Sequence, residues 1–334
     1  MMLGRHFGNI DGDEILMYNI ESEGVRASVL NYGAVLHKLE VRDRDGNFVD
    51  VIGGYRTAEG YKNGIYKHGA IIGRSANRIC NGKVRIGGEE FVLSLNEGTN
   101  HLHGGFCGWN KRVWEVDACD SSSVRLRLFD PDGCEGYPGN VTVYVTYSID
   151  ENTLVIDVDA KTDKPTIINV TNHSFFNLNG FESDSIRDHT FKINSSLITL
   201  TDENNIPTGE IVSAKGTVYD FTEERSIFLP KRNVYDLNYV FNDKTFSVRS
   251  SAYSPKTGIN MEVLSDLPSL QFYNVDRSLC ANRDKNGNPT EGNSWFCMEP
   301  QFAPDAPNHS NFVSSVVEPG QRYVHRIAYR FTNK

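Results

Sequence analysis

The run Trp295-Phe296-Cys297-Met298-Glu299-Pro300-Gln301 encloses one carboxylate in an otherwise apolar stretch. Burying an unpaired carboxylate is costly, so Glu299 is either held in a salt bridge or used. Burial also raises a carboxyl pKa towards the range of a general base. Residues 166–173, TIINVTNH, hold a second candidate. In an extended strand side chains two apart share a face, so Asn169, Thr171 and His173 stand together opposite Ile168 and Val170. That polar row suits a groove on a sheet with His173 pointing into it; an ordinary solvent face has the same pattern.

Two further stretches carry titratable or hydrogen-bonding groups. Asn100-His101-Leu102-His103-Gly104-Gly105 places two histidines on one strand face, but no carboxylate or cysteine accompanies them at metal-ligand spacing. A packing or surface role is the plainer reading of either ring, and the glycine pair implies close approach of another backbone. Gly73-Arg74-Ser75-Ala76-Asn77-Arg78 sets two arginines four apart among small residues. They form either surface charge or a fork for ligand hydroxyls.

The elements that must position these residues are strands. Val25, Ala27 and Val29 alternate with polar neighbours, as do Leu39 and Val41, and Asp45-Gly46 offers a turn before a strand from Phe48 to Ile52. Val124, Leu126 and Leu128 alternate with Arg125 and Arg127. The pattern is longest in Val141, Val143, Val145, Tyr147 and Ile149, then, past Asp150-Glu151-Asn152, in Leu154, Ile156, Val158 and Ala160. This predicts a long antiparallel hairpin with one apolar face. Helical periodicity is confined to a short turn near Thr57 to Tyr61, and no β-α-β alternation suggests a parallel sheet. The expected fold is all-β, a large antiparallel β-sandwich, with residues 1–334 in one domain.

Composition narrows the function. The 34 Lys and Arg against 43 Asp and Glu give a net charge of −9, which argues against nucleic-acid binding and disfavours a strongly anionic substrate. A neutral ligand meets no such objection. No run approaches a membrane span, and the N-terminus lacks the apolar core of a signal peptide, so a cytoplasmic protein is expected. The cysteines at 80, 107, 119, 134, 280 and 297 form no CxxC or zinc-type cluster and read as reduced thiols.

Six blocks, in order, carry a family resemblance: GRSANRI at 73–79, NHLHGG at 100–105, PDGCEGYPGN at 131–140, TNHSFFNL at 171–178, LQFY at 270–273 and CMEPQ at 297–301. With them the chain resembles the galactose mutarotase-like family of aldose 1-epimerases over nearly its whole length. The resemblance implies that family's β "supersandwich". It carries the catalytic histidine onto His173 and the catalytic glutamate onto Glu299. It carries sugar-binding roles onto Asn77, Arg78, His103 rather than His101, Asp236 and Gln271. The chain departs from the family pattern at Leu237, Phe175 and Pro300, where the family often has His, Tyr and Thr.

The implied reaction is interconversion of the α and β anomers of an aldose such as galactose or glucose. Glu299 takes the C1 hydroxyl proton while His173, on the opposite side of the sugar, protonates the ring oxygen. No metal or cofactor is required. The expected partner is a small sugar, with no nucleic acid and no membrane, and the expected state is a monomer or homodimer. Rival readings are a sugar-binding protein without catalysis and an epimerase of a disaccharide or hexose 6-phosphate. A two-carboxylate glycoside hydrolase lacks a second evident acid.

Overall fold

A computed structural model of the chain describes residues 4–183, 185–228, 234–274, 285–287 and 294–334. The period-two segments form an eight-stranded antiparallel sheet. Its strands, in spatial order, are Glu115–Cys119, Ser123–Asp130, Val141–Asp150, Thr153–Thr162, Tyr323–Asn333, Ile259–Ser265, Ser247–Tyr253 and Thr190–Ile193. The predicted hairpin runs in unbroken register from Val141 opposite Thr162 to Asp150 opposite Thr153. Its apolar positions are the buried ones, Val141, Val143, Val145 and Tyr147 against Leu154, Ile156, Val158 and Ala160.

A five-stranded sheet follows the chain from Arg5–Ile10 through Asp13–Glu21, Val25–Leu30 and Leu36–Arg42 to Phe48–Asp50. The Asp45-Gly46 turn forms as expected: Gly46 has φ +84°, and Asp43 Oδ1 accepts the amides of Asp45 and Asn47. A second five-stranded sheet has the order Pro207–Ser213, Leu197–Thr201, Asp236–Val240, Ser269–Asn274, Phe296–Gln301. One apolar cluster joins all three sheets, with Val29 and Leu39 from the first, Val143, Val145 and Ile156 from the large one, and Phe272 and Met298 from the third. Each fully buried side chain of this kind contributes about 1.5–3 kcal/mol of transfer free energy. The short helical turn is Ala58–Asn63, capped by the Thr57 hydroxyl accepting from the Gly60 amide.

Residues 166–173 differ from expectation. Instead of one strand with a polar face, they form two short pieces, Thr166–Ile167 and Thr171–His173, and the whole stretch is buried. Asn169 leaves the expected row: its side chain bonds the backbone N–H and C=O of Phe302. A polar alternation with both faces covered satisfies its groups locally rather than lining one groove.

Among the described residues no helix is long and apolar enough to cross a membrane. Cys80, Cys107, Cys119, Cys134 and Cys297 are free thiols; Cys280 lies outside the described residues.

Candidate active site

A cavity of about 480 Å³ opens where the small strands meet the second five-stranded sheet. Asn77, Arg78, His103, His173, Asp236, Gln271 and Glu299 all line it. Strands Asp236–Val240, Ser269–Asn274 and Phe296–Gln301 lie side by side, and each supplies one of these seven residues. Gln271 stands directly opposite Glu299 and Asp236 opposite Tyr273. His173 arrives from the other wall, at the end of Thr171–His173, which pairs with Ala70–Ile72. The Gly69 amide donates to the His173 carbonyl at 2.9 Å. Gly69 has φ +65°, and a Cβ there would lie 2.0 Å from the Leu36 carbonyl oxygen, so only glycine brings these segments together.

His173 Nε2 and Glu299 Oε2 are 3.8 Å apart, with the side chains 10% and 3% exposed. This gap is too short to admit a sugar ring, so the pair does not flank the ring from opposite sides as the sequence reading expects. The two groups stand side by side. That arrangement suits two oxygens bonded to the same carbon, which is how the C1 hydroxyl and the ring oxygen of an aldose are placed.

Burial dominates the electrostatics. Desolvation, followed by the charge of Asp236, pushes the Glu299 carboxyl well above its usual range, with Lys67 opposing. Desolvation, reinforced by Lys67, pushes His173 down to about 3. Both shifts favour a neutral pair that shares one proton.

The remaining groups are held in fixed poses. Arg78 makes a two-pronged contact with Glu97 at 2.7 and 2.8 Å and lies 3.8 Å from Asp236. Asp236 Oδ1 accepts from Gln271 Nε2 at 2.5 Å. Asn77 and His103 both adopt left-handed backbone, φ +59° and +52°, and grip each other. The Asn77 amide donates to His103 Nδ1 at 3.1 Å, and the His103 amide donates to the Asn77 carbonyl at 3.0 Å. Because Nδ1 accepts, the neutral His103 ring carries its proton on Nε2.

His173, Cys297 and Glu299 each bring a ligand atom within 4.8 Å of the others. However, the contacts to Glu299 and Cys297 leave from different ring nitrogens of His173.

Comparisons with known proteins identify the family. The family described as aldose 1-epimerase matches residues 17–330. The chain belongs to the aldose 1-epimerase family. The galactose mutarotase of Homo sapiens is 34% identical over 330 residues, covering 96% of this chain and 95% of the relative. The aldose 1-epimerase of Escherichia coli (strain K12) is 32% identical over 327 residues, 92% of each. Among solved structures, an aldose epimerase homologue from C. elegans matches with a TM-score of 0.88 at 29% identity, over 96% of this chain and 99% of that one. A galactose 1-epimerase from Lactobacillus acidophilus matches with a TM-score of 0.84 at 26% identity, over 98% of each. The chain is thus an all-β epimerase of the galactose mutarotase fold, an isomerase acting on an aldose at C1.

Within this epimerase the two arginines of the GRSANR block part company. Arg78 lines the cavity, whereas Arg74 is buried against Asp130, 2.8 Å away, and donates to the Pro138 and Gly139 carbonyls at 2.9 Å. There is no arginine fork. The two histidines of the NHLHGG block also diverge. The strand ends at Leu102; His101 bonds the Ser94 carbonyl and the Tyr137 hydroxyl, and His103 alone enters the cavity. Gly104 permits this turn: its φ is +82°, and a Cβ would sit 1.9 Å from the Gly73 carbonyl oxygen.

Sequence reasoning missed Lys67, Tyr66, Phe175 and Tyr273 as cavity residues. Phe175 stacks on the His173 ring at 4.9 Å and 15°. Phe175 and Tyr273 lie inside blocks already singled out. Lys67 carried no local signal, since a lysine in a polar loop reads as solvated.

Proposed function

We propose that this single-domain epimerase opens and recloses an aldose ring with Glu299 as the base and His173 as the acid. Glu299 takes the C1 hydroxyl proton and His173 gives a proton to the ring oxygen. The C1–O5 bond breaks to an open-chain aldehyde, rotation about C1–C2 presents the other carbonyl face, and reversal of both transfers closes the other anomer. No hydride moves, and every proton that leaves one group is taken by another.

One observation carries the reading: an imidazole and a carboxyl, both buried and 3.8 Å apart, share the floor of a polar cavity. The pair holds one proton whichever way it is divided. Carboxylate with imidazolium suits the closed ring, and carboxyl with neutral imidazole suits the open chain. Asn77, Arg78, His103, Asp236 and Gln271 hold the hydroxyls and fix the pose. A galactose or glucose ring is the proposed substrate, in keeping with the names of the relatives. We place the enzyme in the cytoplasm as a monomer or homodimer, with neither nucleic acid nor membrane as partner.

A second cavity, of about 320 Å³, shares Ile65, Tyr66 and Lys67 with the first. It favours tolerance of a substituted aldose, such as the reducing end of a disaccharide. Comparing kcat/KM for glucose, maltose and glucose 6-phosphate separates these substrates.

Polarimetry on freshly dissolved α-galactose and α-glucose tests the chemistry. Glu299→Gln and His173→Asn each lower turnover by on the order of 10²-fold or more while the protein stays folded. Near-normal rates in both variants overturn the assignment. Saturable sugar binding with no acceleration in the unaltered protein establishes the non-catalytic alternative instead.

A further inference from the structure

His173 is contacted on both ring nitrogens by one strand. Cys297 and Glu299 stand two residues apart on Phe296–Gln301 and so project from the same face. Glu299 faces Nε2, and the Cys297 sulfur lies 3.8 Å from Nδ1. The ring plane is set independently by the Phe175 stack and by an edge contact from His103 at 5.2 Å. The neighbour behind the acid is thus a thiol, where an acid–base histidine is often backed by a carboxylate.

The difference has a chemical consequence. The acid must protonate an ether oxygen, which is a weak base. A carboxylate behind the ring would stabilise the imidazolium and make it a poorer acid. A thiol offers a weak hydrogen bond with no charge. Cys297 is fully buried, and desolvation together with Glu299 and Asp236 keeps it in the thiol form. When Nε2 has given up its proton, the neutral ring keeps the one on Nδ1, aimed at the sulfur.

We propose that Cys297 is a positioning residue for the general acid: its uncharged thiol receives Nδ1 of His173 and holds Nε2 towards the substrate without a compensating negative charge. The proposal rests on His173 being the acid. Among the described residues, the other charged or titratable groups around the ring include Glu299 beside Nε2, Lys67 and His68 from the segment before Ala70–Ile72, His103 at its edge, Arg78 in the same cavity, and Asp236 and Tyr273 on the neighbouring strands.

The test compares Cys297→Ser, Cys297→Ala and Cys297→Asp by anomer-resolved kinetics across pH and by ¹⁵N NMR of His173. Serine, which still offers a neutral partner, keeps the wild-type acid limb of kcat/KM and a single Nδ1–H tautomer. Alanine lowers kcat about tenfold or more with little change in KM, and the tautomers mix. Aspartate moves the acid limb up by about one pH unit or more. A Cys297→Ala enzyme with wild-type kcat, acid limb and tautomer overturns the proposal, as does an unmoved acid limb in a folded Cys297→Asp enzyme. Normal turnover in His173→Asn also overturns it, but by removing the acid assignment itself; this outcome is read without touching Cys297.

Discussion

At the scale of single residues, Glu299 and His173 show how burial converts ordinary side chains into a proton-sharing pair. Removed from water, the carboxyl resists losing its proton and the imidazole resists gaining one. The pair titrates as a unit, and catalysis requires that it hold one proton. As pH rises through the raised Glu299 pKa, that proton is lost and no acid remains. As pH falls through the lowered His173 pKa, a second proton binds and no base remains. The expected kcat/KM profile is therefore a broad bell. Its acid limb lies below the unperturbed imidazole value of 6.5 and its alkaline limb above the unperturbed carboxyl value of 4.5. Stopped-flow polarimetry across pH checks this; an acid limb centred near 6.5 contradicts the burial argument. Both residues were legible in the sequence, Glu299 as a lone acid in an apolar run and His173 in a polar row. Their side-by-side placement was not, because pairing of Gln271 with Glu299 and of His173 with Ala70 fixes it.

At the scale of elements, the loop 73–78 is organised around a buried ion pair. Arg74 and Asp130 are 0% and 4% exposed, and Trp109 Nε1 donates to the same Asp130 oxygen at 2.9 Å. Replacing Arg74 leaves the buried Asp130 leaning on the partly exposed Arg112 guanidinium, 3.6 Å away, and removing one partner of a buried pair is strongly destabilising. Arg74→Met is expected to cost about 3–5 kcal/mol of stability. Urea unfolding measures it, and a loss well under 1 kcal/mol would show that Asp130 finds other compensation. The two arginines look alike in the sequence because they share a loop and a composition. What separates them is the position of distant acids, Asp130 for Arg74 and Glu97 with Asp236 for Arg78. The strand pattern, by contrast, was readable wherever one face met the core and the other met water. It failed at 166–173, where both faces are covered and alternation no longer sorts inside from outside.

At the scale of the whole molecule, the C-terminal strand closes the architecture. Tyr323–Asn333 lies between Thr153–Thr162 and Ile259–Ser265 near the middle of the large sheet, and it buries Tyr323, Ile327, Tyr329 and Phe331 in the main core. Deleting residues 323–334 removes a central strand and leaves two unpaired edges. The truncated chain is expected to lack a cooperative unfolding transition by calorimetry, whereas a folded, active truncation would contradict this role. The sequence alone determined that the chain is built of antiparallel strands, where the long hairpin turns, and that Glu299 sits among apolar neighbours. These are consequences of side-chain period and local composition, which act within a few residues. Only the tertiary structure decided which arginine and which histidine face the cavity, that acid and base stand together, and that a thiol backs the imidazole. Those contacts join residues far apart in the chain, and their distances are set by strand register and sheet packing rather than by any local preference.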